Sequence, residues 1–490
     1  MNNRLGRFLL FVFLLSGAAS RIWAGEAWDR VTQTHELRWG ADATGGAPYV
    51  FPDPDHPAKI IGFEVDLMEA IAKRLEVRSK LVLVPWDQLV PALLRNDFDV
   101  AFNGLEVTPD RRNVINFTQP YYLFSEQITE RKGDGRFHIF EDLRGHRVGT
   151  LSASLAQTLM VQDGHITVVP YPSPVEAYKD LGLGRIDAAL MDVPIAAWYA
   201  GPDPKLENVG APAGEGLYAG GLRKDSPLLT DKLDTAIAEL SASGELEAIY
   251  RKWSIWNDGQ GKLKGKLAER LKTSEVHSLG RYLPMMLKGA LVTIGISVLA
   301  MGLAVGFGFL LCLGKLYGNG LVKVCCSSFI EIVRGTPLLI QLYLLYYGLP
   351  NIGIQLNAFV AAVLGMGLNY AAYEAEIYRA GLLSIPRGQA EAARSLGMTH
   401  SQALRYVIVP QAVRTILPPS TNDFIALFKD TSLVSVITVT ELTRAYNVAA
   451  TATYRFLELG LMTAVLYFLM SYPLSVWSKS LEKGRHVSVH

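Results

Sequence analysis

From Gly289 to Leu313 the chain runs for 25 residues without one acidic or basic side chain. A helix needs about 20 apolar residues to cross the hydrocarbon core of a bilayer, so this stretch is long enough to span one. Similar runs occur at Val324–Leu349, Leu356–Ile377 and Phe456–Trp477. Another, Gln411–Val439, is interrupted by Arg414, Pro418-Pro419, Asp423 and Lys429-Asp430. Residues 281–482 therefore read as an all-α membrane domain, of about five transmembrane helices when that interrupted segment of weak hydropathy is counted as one. The apolar half of the composition is concentrated there, as are all three cysteines, Cys312, Cys325 and Cys326. With no cysteine in the first half, a disulfide framework and zinc spacing are both excluded there.

The first half is ordinary polar sequence, and 490 residues exceed what a single core usually supports. Arg4 and Arg7 precede the apolar run Phe8–Leu15 and then Ser16-Gly17-Ala18-Ala19. This is the layout of a signal peptide over 1–24, with cleavage after Ala24 or Ala27; the alternative is a retained anchor. Either way the remainder of the first half is exported. Strand-like and helix-like segments alternate over 28–256. Strands are expected at Leu37–Gly40, Lys80–Val84, Asp99–Phe102, Arg147–Thr150, Thr167–Tyr171 and Ile186–Met191. Helices are expected at Phe63–Leu75, Trp86–Leu94, Ala153–Val161, Pro174–Gly182 and Leu228–Trp253, and the rhythm breaks near Gln127–Glu130. That order predicts two α/β lobes joined by crossing strands, with a ligand cleft between them. A charged linker, 257–280, separates the halves. Net charge near neutrality gives no argument for nucleic acid.

Between apolar segments lies the polar stretch Ser384–Pro410 (SIPRGQAEAARSLGMTHSQALRYVIVP). Pro386 suits a first helical position, Gln389–Leu396 favours helix, and Gly397 can take the left-handed turn that ends it. Thr399 with Gln402 has capping-box spacing, so a second short helix is expected. Glu391-Ala392-Ala393, Gly397 and Val407-x-Val409-Pro410 resemble the EAA loop of ABC importer permeases. The stretch from Glu331 (EIVRGTPLLIQL) through Tyr373 (YEAEIYRAGL) to Val436 resembles the polar amino acid uptake branch of that family. The resemblance implies that Glu391, Ala392, Ala393 and Gly397 couple to a separate ABC ATPase subunit. It also implies a homodimer of the permease domain in the inner membrane. Five crossings from an exported first half place Lys315, Lys323, Arg387, Arg394 and Arg405 in the cytoplasm, with the C-terminus, in agreement with the positive-inside rule.

The first half resembles periplasmic amino-acid-binding proteins of the venus-flytrap type, the two-lobed type II periplasmic binding protein fold. The matching segments are IGFEVDLMEAIAKRL from Ile60, WDQLVPALL from Trp86, FDVAFNGLEVTPDRRNVINFTQPYY from Phe98, DLRGHRVGT from Asp142 and GRIDAALMDVP from Gly184. A guanidinium grips a carboxylate through two parallel N–H bonds. By the resemblance Arg111 is that clamp, helped by Asn103 and Gly104. Asp192 is the ammonium partner, Trp86 an aromatic wall, and Asp42 lies on the loop that reads the side chain. Three positions depart from the family. Glu106 stands where Ser or Thr is usual, and it would repel a substrate carboxylate unless it meets the ammonium or turns away. Gly45-Gly46 replaces a stacking aromatic. Ser152-Ala153-Ser154 replaces a Gly-Thr pair, with Ser154 keeping a hydroxyl.

Charged side chains inside membrane segments are costly, so Glu331, Arg334, Glu374 and Arg379 are expected to face the bundle interior or a pathway, the alternative being a structural pair three residues apart such as Glu331 with Arg334. No GxxxxGK[ST] run occurs, so ATP is expected to be used by the partner and not by this chain, with no cofactor, catalytic set or metal site of its own. The reading is a fused receptor and permease that imports a polar amino acid across a lipid bilayer. Two rivals use the same lobes. One is a ligand-gated channel or chemoreceptor. The other is an enzyme, a dehydratase or lyase, whose acid and base would have to be Glu106 with His165 or Asp192.

Overall fold

The computed structural model describes residues 27–44, 46–263 and 279–483. The expected signal peptide, Gly45 and most of the linker lie outside the described residues. The chain divides into two compact units, Met1–Val276 and His277–His490.

The first unit is built on an eight-stranded sheet in the order β4-β1-β5-β10-β6-β9-β7-β8, beside a two-stranded one of β2 (Phe51–Pro52) and β3 (Ile60–Ile61). Strands β1 (Glu36–Ala41), β4 (Arg78–Leu83) and β5 (Val100–Ala101) form the parallel part of one lobe. Strands β7 (Arg147–Leu151), β8 (Thr167–Tyr171) and β9 (Ala188–Asp192) form that of the other. Between them run two long antiparallel strands, β6 (Asn116–Arg131) and β10 (Leu206–Leu222). At about 3.3 Å per residue, sixteen residues reach roughly 50 Å, enough to pass through both lobes. The expected break near Gln127–Glu130 is thus part of a crossing strand. Strand β10 escapes sequence reading because its residues, LENVGAPAGEGLYAGGL, are poor in β-branched side chains. Its glycines have a packing reason: a Cβ on Gly216 would overlap the ring of Phe124.

Around these strands packs an aromatic core that includes Trp39, Phe63, Phe102, Tyr121, Tyr122, Tyr218 and Tyr250. The helix Phe63–Arg74 buries Phe63, Leu67, Met68 and Ile71 against it, one stripe at helical spacing. The expected single helix at 228–253 is two, Pro227–Ser243 and Glu245–Lys252, because Gly244 turns left-handed at φ 78°. The start of the expected linker is also folded. Gln260 accepts from Leu123 N–H at 2.9 Å and donates to Leu123 C=O at 2.8 Å, closing the edge of β6.

The second unit is helical. Leu283–Tyr317 packs along Ala358–Leu383 through small residues, and Gly308 comes so close that a Cβ would meet Ala371 C=O at 2.8 Å. Among the described residues two helices, Leu283–Tyr317 and Phe456–Val476, are long and apolar enough to cross a membrane. The expected second span is a bent pair, Gly320–Arg334 and Leu338–Ile352, turned by 106°. Pro337 causes the break: it biases Thr336 away from helical dihedrals and cannot donate an N–H. Counted as one span, the pair makes three candidates. The helices Ala358–Leu383 and Val409–Asp430 fall short on composition, through Asn369, Tyr370 and Glu374 in one and Arg414 and Asp423 in the other. A helix not foreseen, Leu442–Thr453, is capped by Glu441, which accepts from the amides of Thr443 and Arg444 at 2.8 and 2.7 Å.

The expected pair differs. Glu331 and Arg334 are exposed and form no ion pair with each other; the Arg334 guanidinium lies 5.2 Å over the Tyr373 ring. Arg379 pairs with Glu376, at 2.8 Å, and so does Lys315, also at 2.8 Å. Glu374 is instead buried; one oxygen accepts from Ser420 Oγ at 2.6 Å and the other makes no hydrogen bond of normal geometry among the described residues.

Candidate binding site

Each lobe brings the ends of its strands to one cleft. Asp42 follows β1, and its carboxylate fixes two loops by accepting from Thr44 N–H (2.6 Å) and Trp86 N–H (2.9 Å). Asn103 accepts from Asp42 N–H at 3.1 Å. Gly104 needs a left-handed φ of 61°, and a Cβ there would lie 2.7 Å from the Tyr49 ring. Its N–H donates at 2.6 Å to Glu64, which also receives the Tyr121 hydroxyl. Burial pushes the Glu64 carboxyl up to about 7, against the pull of those two donors.

Arg111 sits on the short helix Pro109–Val114, capped by Thr108. It is 3 % exposed. One terminal nitrogen donates to the Glu106 carboxylate at 3.1 Å and to its backbone carbonyl at 2.9 Å. The other donates to Ala153 C=O in the second lobe at 2.8 Å, and the guanidinium stands 5.3 Å from the Trp86 ring centre. Glu106 reaches across as well: both oxygens accept from Leu155 N–H, at 2.9 and 3.0 Å, in the first turn of the helix Leu155–Asp163. That is where a negative charge is stabilised by unpaired amides and the helix dipole. Burial pushes the Glu106 carboxyl up, while Arg111 pulls it back. Trp86 Nε1 adds a third bridge, donating to Ser152 C=O at 2.8 Å. Ser154 caps the same helix, accepting from Gln157 N–H at 3.1 Å.

Asp192 ends β9 and lies directly opposite Glu126 of β6 in the ladder. It accepts from the Tyr218 hydroxyl, which is 2.8 Å from that of Tyr49. Burial pushes Asp192 up to about 6, against the pull of Tyr218. Glu126 is fully buried and raised further, by burial and then by the charges of Asp192 and Glu106; neither of its oxygens makes a hydrogen bond of normal geometry. Glu106, Glu126 and Asp192 each offer one oxygen within 4.8 Å of the others, a cluster that no spacing in the sequence announces.

These groups surround a small cavity of about 30 Å³. Of the residues named from sequence, Asp42, Trp86, Asn103, Gly104, Glu106 and Asp192 line it, whereas Arg111 and Ser154 do not. Glu106 takes the wall position with Arg111 behind it. Tyr49 and Ile195 were not anticipated. Tyr49 supplies an aromatic a few residues beyond the Gly45-Gly46 pair, so the loop is not without a ring. His165 points elsewhere: its side chain is 76 % exposed and sits beside Asp163, which removes it as a partner for Glu106.

The second candidate site is the polar turn. Its helix is Arg387–Ser395, with Pro386 just before the first helical residue rather than in it. Gly397 is left-handed at φ 83°, with Met398 N–H bonded to Ala393 C=O (3.2 Å) and Gly397 N–H to Arg394 C=O (2.9 Å). Thr399 and Gln402 cap each other reciprocally, at 3.3 and 2.9 Å. The expected second short helix is continuous with the next one: His400–Ala403 passes through one wide turn, Leu404–Ile408, into Val409–Asp430. Glu391 and Ala392 are exposed and Ala393 is buried, while Leu396, next to the bend, is 81 % exposed.

Residues 37–255 match the family described as bacterial extracellular solute-binding proteins, family 3. Residues 299–486 match the family described as binding-protein-dependent transport system inner membrane component. The chain is 37 % identical over 203 residues to the glutamine transport system permease protein of Escherichia coli, covering 41 % of this chain and 93 % of that one. It is 36 % identical over 200 residues to a probable amino-acid ABC transporter permease protein of Bacillus subtilis, covering 41 % and 88 %. Among solved structures, one described as an amino acid ABC transporter with histidines is 41 % identical, with a TM-score of 0.40, covering 43 % of this chain and 99 % of that one.

Proposed function

Because this chain belongs to the family of binding-protein-dependent transport inner membrane components, with a family-3 solute-binding domain ahead of that part, we propose that it is the receptor and permease subunit of an ABC importer of polar amino acids. The two-lobed unit captures its ligand outside the inner membrane. Being on the same polypeptide, it delivers to the pore at high effective concentration. The helical unit crosses the bilayer about five times, works as a homodimer, and places the C-terminus in the cytoplasm. A separate ATPase subunit docks on the turn around Gly397 and consumes the ATP; this chain needs no cofactor of its own. In the cleft, Asp192 takes the ligand's ammonium, Trp86 and Tyr49 flank its body, and Asp42, Asn103, Gly104 and Glu106 complete the wall, with Arg111 and Ser154 in support.

One observation carries this reading: a rigid, glycine-bent turn with an exposed leucine shares a chain with a two-lobed binding unit. A channel or chemoreceptor has no use for that turn. Reconstitution of the full chain with its ATPase in liposomes tests it. Uptake of a radiolabelled amino acid should require ATP, and ATP hydrolysis should rise with the ligand. Ligand-evoked flux without ATP would overturn it.

A further inference from the structure

The cavity wall carries three carboxylates, Asp42, Glu106 and Asp192, and no lysine, arginine or histidine. A fourth, Glu126, faces Asp192 from the neighbouring strand. A ligand's carboxylate needs donors, and the protein's own carboxylates already hold the guanidinium of Arg111 and the Leu155 and Gly104 amides. Glu106 has Arg111 and the Leu155 amide. Glu64 has the Gly104 amide. Ser154, the remaining expected donor, stands outside the cavity wall, its hydroxyl 3.3 Å from that of Thr150. Displacing Glu106 would strand a buried charge, which costs more than the pair itself contributes. A second negative group beside these carboxylates would also be repelled strongly in so poorly solvated a pocket.

We propose that the pocket selects a net-cationic amino compound, bound through its positive charges by Asp192, Glu106 and Asp42 between the rings of Tyr49 and Trp86. Glu106 stands where a ligand carboxylate would otherwise reach Arg111. Arg111 is then a positioning residue: it fixes Glu106, and it holds the second lobe through Ala153. The two rings suit a cation, since aromatic faces attract positive charge. This inference deepens the import reading and rests on it.

Isothermal titration of the full-length protein in nanodiscs tests it, with the twenty amino acids, L-lysinamide and L-argininamide as probes. The tightest ligand should be a basic amino acid, and its amide should bind within fivefold of the free acid. A neutral or acidic amino acid binding tightest would overturn the inference, as would an amide more than fivefold weaker. If nothing in the panel binds, the amino-compound reading itself falls, so the two failures are distinguishable. Glu106→Thr frees Arg111, and the preference for free acid over amide should rise at least tenfold. Glu106→Gln keeps the size and should move that ratio the same way if the threonine variant fails to fold. An unchanged ratio in both variants contradicts the assignment.

Discussion

Replacing Asp192 by Asn should have opposite effects on ligand affinity and on the ligand-free protein. Asp192 is 7 % exposed, so a ligand ammonium meeting it is largely desolvated. Truncating one member of a buried charge pair costs about 2–5 kcal/mol, which at about 1.4 kcal/mol per decade is roughly 30- to 4,000-fold in affinity. Without ligand the sign reverses. Asp192 is buried opposite Glu126, and burial raises its carboxyl, so its charged form costs about 1 kcal/mol or more there. The amide removes that cost and keeps an oxygen to accept the Tyr218 hydroxyl. The ligand-free variant should therefore melt at the same temperature or up to about 4 °C higher, using the size scaling for 150–250 residues. Titration calorimetry gives the affinity and a thermal melt of the full chain gives the stability. An N-acetylated ligand, which has no α-ammonium, should lose far less than its parent. Affinity within threefold of wild type, or a lower melting temperature, would refute the reasoning.

Other outcomes rest on the same geometry. Gly397→Asp puts a side chain at φ 83° and should leave ligand affinity unchanged while abolishing uptake and ligand-stimulated ATP hydrolysis in proteoliposomes. Gly216→Ala forces a Cβ into the Phe124 ring and should destabilise the binding unit by about 1–3 kcal/mol, read as a lower melting temperature with ligand-bound stoichiometry preserved. Asp192 and Glu64 both have folded values, about 6 and about 7, above the ordinary carboxylate range. Their contribution to ligand-free stability is thus fully present below about pH 4 and is lost as pH rises through 6 to 7. Affinity for a cation should move the other way, rising between pH 5 and 7 as Asp192 ionises, with Glu126, Glu106, Arg111, Tyr49 and Tyr218 as its charged or titratable neighbours. Melts and titrations at pH 5, 6, 7 and 8 check both signs.

Local chemistry made much of the fold readable. Helices with a clear apolar stripe, such as Phe63–Arg74, and turns with explicit caps, such as Thr399 with Gln402, are encoded within a few residues. Strand β10 is not, because its glycines and alanines are chosen by the rings above them and not by a local preference. The bend at Pro337 was written in the sequence, yet the apolar residues on both sides masked it. In the site, the oddity of Glu106 was visible but its consequence was not. Only the structure brings the Leu155 amide, 49 residues away, to its carboxylate. Glu126 left one clue, an acid within the largely buried strand β6, without any sign that it would face Asp192.

Under the proposed function one polypeptide holds a receptor on one side of the membrane and a docking turn on the other. Sidedness is measured most directly with single cysteines in a variant lacking Cys312, Cys325 and Cys326. Asp55→Cys reports on the first lobe and Leu396→Cys on the bend; both positions are exposed. In right-side-out vesicles a membrane-impermeant maleimide should label the cysteine at 55 and spare the one at 396 until the membrane is opened. Labelling of both in sealed vesicles would contradict the claim.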